Sequence, residues 1–255
     1  MPPPCWPCGP CPDALTLLNS LQDLTGGAVE AFEYMPASYI AAHLARFPQA
    51  RAPFAERHAV NVMIEIGATA RRDADPLPDG SIPIVAVLEQ ALSAMLDAGS
   101  LLDATIAQTG DQRREMWARR EAAAEITLGR IPFVDTDVAV PLDRVATFLD
   151  LVTTRVARLD PGASDACVAH LGDGNIHYTV FPTRDDKALT EALREAIEEI
   201  TLSLGGSFSA EHGIGQAKLG SMARRKDPVA LDVMRAIKAA LDPLGILNPG
   251  KVIPQ

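Results

Sequence analysis

Three of the five histidines fall between residues 170 and 212, each in glycine-rich surroundings rather than on an apolar helix face. In ACVAHLGDGNIHYTVF, runs of β-formers flank Asp173 and Gly174, the kind of dipeptide that two-residue type I′ hairpins favour. A turn on that pair sets Gly172 against Asn175, Leu171 against Ile176 and His170 against His177. Directly opposed residues have Cβ atoms ~4.5–5.5 Å apart, close enough for both rings to bind one cation. The plainer reading is two histidines hydrogen-bonding across a solvated hairpin, and a third, acidic ligand would tip the balance. SFSAEHGIG supplies one, because Glu211 stands beside His212. In an extended loop adjacent side chains point to opposite sides, so one could face a metal and the other a substrate. Two imidazoles and a carboxylate with open positions suit a catalytic Zn²⁺ or Mn²⁺ site rather than a closed structural one. Spacing does not by itself bring Glu211 to the hairpin.

Cys5, Cys8 and Cys11 also carry a ligand-like spacing, inside MPPPCWPCGPCP. The context argues against redox or zinc chemistry: six prolines preclude a preceding strand, and no nearby fourth ligand would close a zinc site. Residues 1–12 therefore read as an unstructured leader. Asp173 and Asn175 read as turn-formers rather than reactants.

Periodicity identifies the elements that must position these groups. It predicts helices over 13–26, capped by Asp13, and over 35–47, 83–98, 111–126, 185–204 and 228–241, with another starting at Pro141. Strands are expected at 58–68, 101–108 and 133–140, then two around GDGN, and a loop at 73–83. Tight hairpins among alternating strands and helices favour an α+β fold with antiparallel sheets covered by helices over a doubly wound parallel sheet. Neither GxGxxG nor GxxxxGK[ST] occurs, so no dinucleotide or P-loop phosphate cradle is signalled.

Composition bounds the function. With 255 residues, 47% of them hydrophobic, the chain can bury a sizeable core, and no run of 18 apolar residues suggests a membrane span. The net charge of −10 repels phosphate backbones, which makes nucleic acid and anionic lipid poor partners. Four cysteines are too few for a disulfide scaffold, and with no signal-peptide pattern at the start a reducing cytoplasm is the default location.

HLGDGNIH (170–177), GGSFSAEHGIG (205–215) and LDPLGILNPGK (241–251), with the weaker WARRE (117–121) and DVAVPLDRV (137–145), resemble the C-terminal domain of FAD-linked oxidases of the vanillyl-alcohol oxidase type. Within these, the similarity is to the D-lactate, glycolate and D-2-hydroxyglutarate dehydrogenases, and it covers nearly everything after the leader. The resemblance implies a ferredoxin-like cap domain with a C-terminal helical segment, over 13–204 and 205–255. It also implies His170, His177 and Glu211 as metal ligands, His212 as general base, Arg120 as the clamp on the substrate carboxylate and Asn248 near the flavin. Arg120 read without the family is an exposed helix arginine, and NPG around Asn248 an ordinary turn. A chelated cation would lower the substrate hydroxyl pKa, a neutral imidazole suits removal of that proton, and hydride would leave C2 for the flavin.

Three positions depart from the hydroxyglutarate pattern: Ala124 stands where a substrate-contacting threonine is expected, Asp135 where a lysine is expected, and Thr179, itself a candidate substrate contact, where an asparagine is expected. An aspartate in place of a lysine would repel a second carboxylate, so a smaller or differently charged D-2-hydroxy acid is at least as plausible. Family members carry FAD on an N-terminal domain that nothing here resembles. The chain is therefore expected to be the substrate and cap half of a flavoenzyme, truncated or split, working with an FAD-binding domain or subunit. Two rival readings remain open: a stand-alone metal-binding or interaction domain, and a metallohydrolase using metal-bound water.

Overall fold

The structure, a computed structural model, describes residues 12–68 and 70–254. The three leader cysteines lie outside the described residues. In chain order the elements are α1 Pro12–Thr25, β1 Val29–Pro36, α2 Ala37–Arg46, β2 Val60–Ile66, α3 Arg71–Ala74, α4 Pro83–Asp97, α5 Gly110–Glu121 and α6 Ala123–Leu128. There follow β3 Val134–Ala139, a short 3-10 turn at Leu142–Arg144, α7 Val145–Leu159, β4 Ser164–His170, β5 Asn175–Phe181, α8 Lys187–Ser203, α9 Leu219–Arg225 and α10 Pro228–Leu241. The five strands form one sheet in the order β2-β1-β4-β5-β3, and every neighbouring pair is antiparallel. The fold is α+β, as its alternation and hairpins imply.

Strand periodicity gives the sheet two different faces. On one, Phe32, Tyr34, Val138, Ala169, Ile176, Tyr178 and Val180 join a core with Leu17, Leu18 and Leu21 of α1, Phe148 and Val152 of α7, and Leu193 and Ile197 of α8. Each of these large side chains adds roughly 1.5–3 kcal/mol on burial. The opposite face carries polar residues, flanked by a smaller apolar cluster in which Met35, Tyr39, Ile40, Met63 and Val168 meet Met116 and Trp117 of α5 and Ile126 of α6. Helix ends are fixed locally: Thr109 and Gln112 form a capping box on α5, Asp186 caps α8, and Asp227 caps α10 ahead of Pro228.

The structure corrects several elements. Residues 29–36 are a strand, paired along its length with β2, and the second helix starts only after Pro36, whose extended backbone (ψ 163°) ends β1. Residues 101–108 form no strand: Leu102 is exposed, and the side chain of Asp103 accepts from the Ala104 amide instead of leaving it for a ladder. The helix expected over 111–126 divides at Ala122, where the Tyr39 hydroxyl donates to the carbonyl oxygens of Arg119 (2.7 Å) and Arg120 (3.3 Å). The first helix starts at Pro12, which places Asp13 inside it rather than at its cap. The short helices α3 and α9 had no periodic signal.

The hairpin register also differs. His170 pairs with Asn175, and His177 lies opposite Val168. Leu171 leaves the ladder because its amide donates to Phe32 of β1 (2.8 Å) and its side chain is fully buried in the core. A longer turn over 171–174 results. Gly174 adopts φ 77° with its α-carbon against the Val140 carbonyl, a conformation and a closeness that exclude a side chain.

Candidate metal centre and substrate cavity

His170 on β4 and His177 on β5 remain on one sheet face as diagonal neighbours, with ring centroids 5.4 Å apart. Glu211 reaches them from the segment after α8: its Oε1 lies 3.7 Å from His170 Nε2 and its Oε2 3.7 Å from His177 Nε2. Donor atoms around a tetrahedral zinc with bonds of ~2.0–2.1 Å stand about 3.3–3.4 Å apart, so this triad fits a small divalent cation after a slight contraction. Two neutral imidazole nitrogens and one carboxylate are also the donor types that zinc and manganese share.

The ring behind the first ligand is held in place. A guanidinium only donates, so the 3.0 Å contact of Arg120 Nη2 with His170 Nε2 requires a ring that accepts there and carries its proton on Nδ1. That proton is donated to Glu33 Oε1 at 2.8 Å, while Arg120 Nε donates to Glu33 Oε2 at 2.7 Å. The hydrogen bond to Glu33 raises the His170 pKa, whereas burial, joined by the charge of Arg120, lowers that of His177. For Glu33 itself, burial pushes upward, but His170 and Arg120 together hold the carboxyl below its ordinary value. A carboxylate behind a ligating histidine is the arrangement that orients the ring and raises its basicity as a ligand.

The segment bearing Glu211 and His212 wraps around Asp137 of β3 rather than running extended. Asp137, only 1% exposed, accepts from the amides of Ala210 (3.2 Å), Glu211 (3.1 Å) and His212 (2.8 Å) and from Lys218 Nζ (3.1 Å). Burial would raise its pKa, yet these donors hold it down to about 2. Asp137, His177 and His212 could also be grouped as ligands. The carboxylate of Asp137 is already committed to four donors, which favours the triad containing Glu211. Glu211 and His212 nevertheless diverge: the carboxylate meets the histidine pair, while the His212 ring stacks on His177 with centroids 5.0 Å apart.

A cavity of about 380 Å³ opens beside this cluster, walled by His177, His212, Arg120, Thr179 and Asp135 among others. Arg120 is buried rather than an exposed helix residue, and two of its three nitrogens are engaged by Glu33 and His170, which leaves Nη1 as its one unengaged nitrogen among the described residues. Thr179 donates to Asp135 Oδ1 at 2.7 Å. Asn248 lies apart on the exposed C-terminal segment, in a left-handed turn (φ 47°) whose carbonyl accepts from Lys251. The turn before β5 is stabilised by Asp173, whose side chain accepts from the Asn175 amide. The Asn175 side chain is instead buried, with neither polar atom partnered among the described residues.

Glu33, Asp137 and Lys218 were not singled out from sequence. Alternation of Phe32 and Tyr34 with Glu33 and Met35 was the available sign of a strand with a buried acid. Asp137 stood within DVAVPLDRV, without a sign of its partners. Nothing local marked Lys218.

The α+β domain thus gathers two histidines, a carboxylate and a third imidazole beside a cavity. The chain belongs to the family described as FAD linked oxidases, C-terminal domain, whose model matches residues 78–252. It is 35% identical over 254 residues to the mitochondrial D-2-hydroxyglutarate dehydrogenase of Bos taurus, covering 96% of this chain and 43% of that protein. The D-2-hydroxyglutarate dehydrogenase of Stutzerimonas stutzeri is 28% identical (93% of this chain, 49% of that one), and the D-lactate dehydrogenase of Anaerostipes hadrus 32% (65% and 35%). The chain thus spans less than half the length of these relatives. The fold matches the 4-ethylphenol oxidase of Gulosibacter chungangensis with a TM-score of 0.50 at 15% identity, over 96% of this chain and 52% of that one.

Proposed function

We propose that this chain is the substrate-binding and metal-binding half of an FAD-dependent dehydrogenase that oxidises a D-2-hydroxy acid, such as D-lactate or glycolate, to the 2-oxo acid. The observation that carries the reading is the convergence of His170, His177 and Glu211 beside a cavity that His212 also lines. These three residues would hold Zn²⁺ or Mn²⁺, with Arg120 Nη2 yielding the single Nε2 lone pair of His170 to the ion. When bound, the ion supplies Lewis-acid polarisation of the 2-hydroxyl, and the flavin supplies acceptance of hydride from C2. His212, stacked on His177 at the cavity wall, is the group placed to take the hydroxyl proton. Arg120 faces the substrate carboxylate through Nη1, and Thr179 borders the rest of the substrate. Asn248 is assigned to the flavin side.

The flavin partner is an FAD-binding domain or subunit. Support comes from the length of the relatives and from an apolar stripe on α10, where Val229, Val233, Ile237 and Leu241 all stand exposed. Among the described residues no helix is long and apolar enough to cross a membrane. A reducing cytoplasmic location belongs to the same proposal, supported by the low cysteine count. Joining the chain to an FAD-binding domain from a relative tests the reading. D-2-hydroxy acids should bleach the flavin, chelator should stop this, and His212→Asn should slow it by roughly 10²–10⁴-fold. A folded, flavin-loaded protein that no D-2-hydroxy acid reduces would contradict it.

A further inference from the structure

We propose that Asp135 and Thr179 form the subsite for the far end of the substrate. This subsite selects 2-hydroxy acids whose distal group donates hydrogen bonds (an amide, a hydroxyl or an ammonium) over those ending in a second carboxylate. The inference rests on the functional reading above and names the substrate class within it.

The two residues are partners across β3 and β5, one same-face step from Asp137 and His177. Same-face residues along a strand stand ~7 Å apart, which puts the pair within reach of the tail of a five-carbon acid whose first two carbons lie at the metal cluster. Both residues line the cavity. Thr179 Oγ1 donates to Asp135 Oδ1 at 2.7 Å and so fixes the carboxylate, while Oδ2 has no hydrogen-bond partner among the described residues. Arg194 does not neutralise it, since its guanidinium binds the Asp135 main-chain carbonyl. Among the described residues Arg120 is the single lysine or arginine on the cavity lining, and it is already paired with Glu33. Glu121 adds a further carboxylate, and Phe133 and Ala166 make the neighbouring wall apolar.

A second substrate carboxylate would therefore meet like charge with no uncommitted cation to offset it, across a wall that screens poorly. A distal donor would instead give Oδ2 the partner it lacks.

The test is calorimetric titration of the full chain, loaded with Mn²⁺ or Zn²⁺, with acids matched in length: D-2-hydroxyglutarate, its 5-amide, and D-5-amino-2-hydroxypentanoate, with D-lactate as the tail-free control. The amide and the amine should bind about tenfold more tightly than the diacid. The isosteric Asp135→Asn should remove most of that preference, and Asp135→Lys should reverse it. Preference of the wild-type chain for the diacid, or an unchanged order in Asp135→Asn, would overturn the inference and leave the functional reading standing. Failure of the metal-loaded chain to bind any of the four acids would overturn the functional reading, and the inference with it.

Discussion

The proposed chemistry depends on residues that would neither ligate nor react. Glu33 is 3% exposed and holds both Arg120 and His170, so it sets the tautomer that turns His170 Nε2 toward the site. Glu33→Gln should lower divalent-metal affinity by about 10–100-fold although Glu33 is not a ligand, as competition with a chelating dye will measure. Glu33→Ala should in addition cost roughly 3–5 kcal/mol in denaturant unfolding, because it leaves a buried guanidinium unpaired. The four residues that form the cluster were legible because each sits in a short glycine-rich motif. Glu33 was not, because its partners stand 87 and 137 residues away and only the β1–β4 pairing brings His170 beside it.

At the scale of elements, the site is a product of sheet register and of what docks on its polar face. The turn dipeptide announced a hairpin correctly but misplaced its register, since the burial of Leu171 and its bond to β1 outweigh local turn preference. The strand β1 escaped notice because its partner in the ladder lies beyond α2 and a long loop. Helix α5 is fastened to β2 through Glu65, which accepts from Arg113 (Nε, 3.1 Å) and from the Trp117 indole (2.5 Å). Donation by Arg113, aided by Trp117 against a modest burial penalty, lowers the Glu65 pKa below its ordinary 4.5. A depressed carboxyl pKa contributes stability above the unfolded value and loses it as pH falls through the folded one. Wild type should therefore exceed Glu65→Gln modestly in thermal midpoint at pH 7, and the gap should close below about pH 4. A gap that persists unchanged in acid would show that the ion pair does not fasten α5.

At the scale of the molecule, composition alone described an ordinary globular protein, and only the motifs identified a domain that relatives carry within chains more than twice the matched length. The α+β architecture was readable from alternating elements. The division of labour between a packed face and a polar face was not, because it depends on which strands neighbour one another. That division lets one sheet face present His170, His177, Asp135 and Asp137 together while the other is filled with aliphatic and aromatic side chains. The central claim is that this face holds one divalent ion which the substrate then shares. Titration of the isolated chain with Zn²⁺ or Mn²⁺, followed by D-lactate, tests it most directly. The account predicts one ion per chain, affinity reduced by about a hundredfold or more in His177→Ala, and D-lactate binding only to the metal-loaded form. No stoichiometric ion, or equal affinity in wild type and His177→Ala, would contradict it.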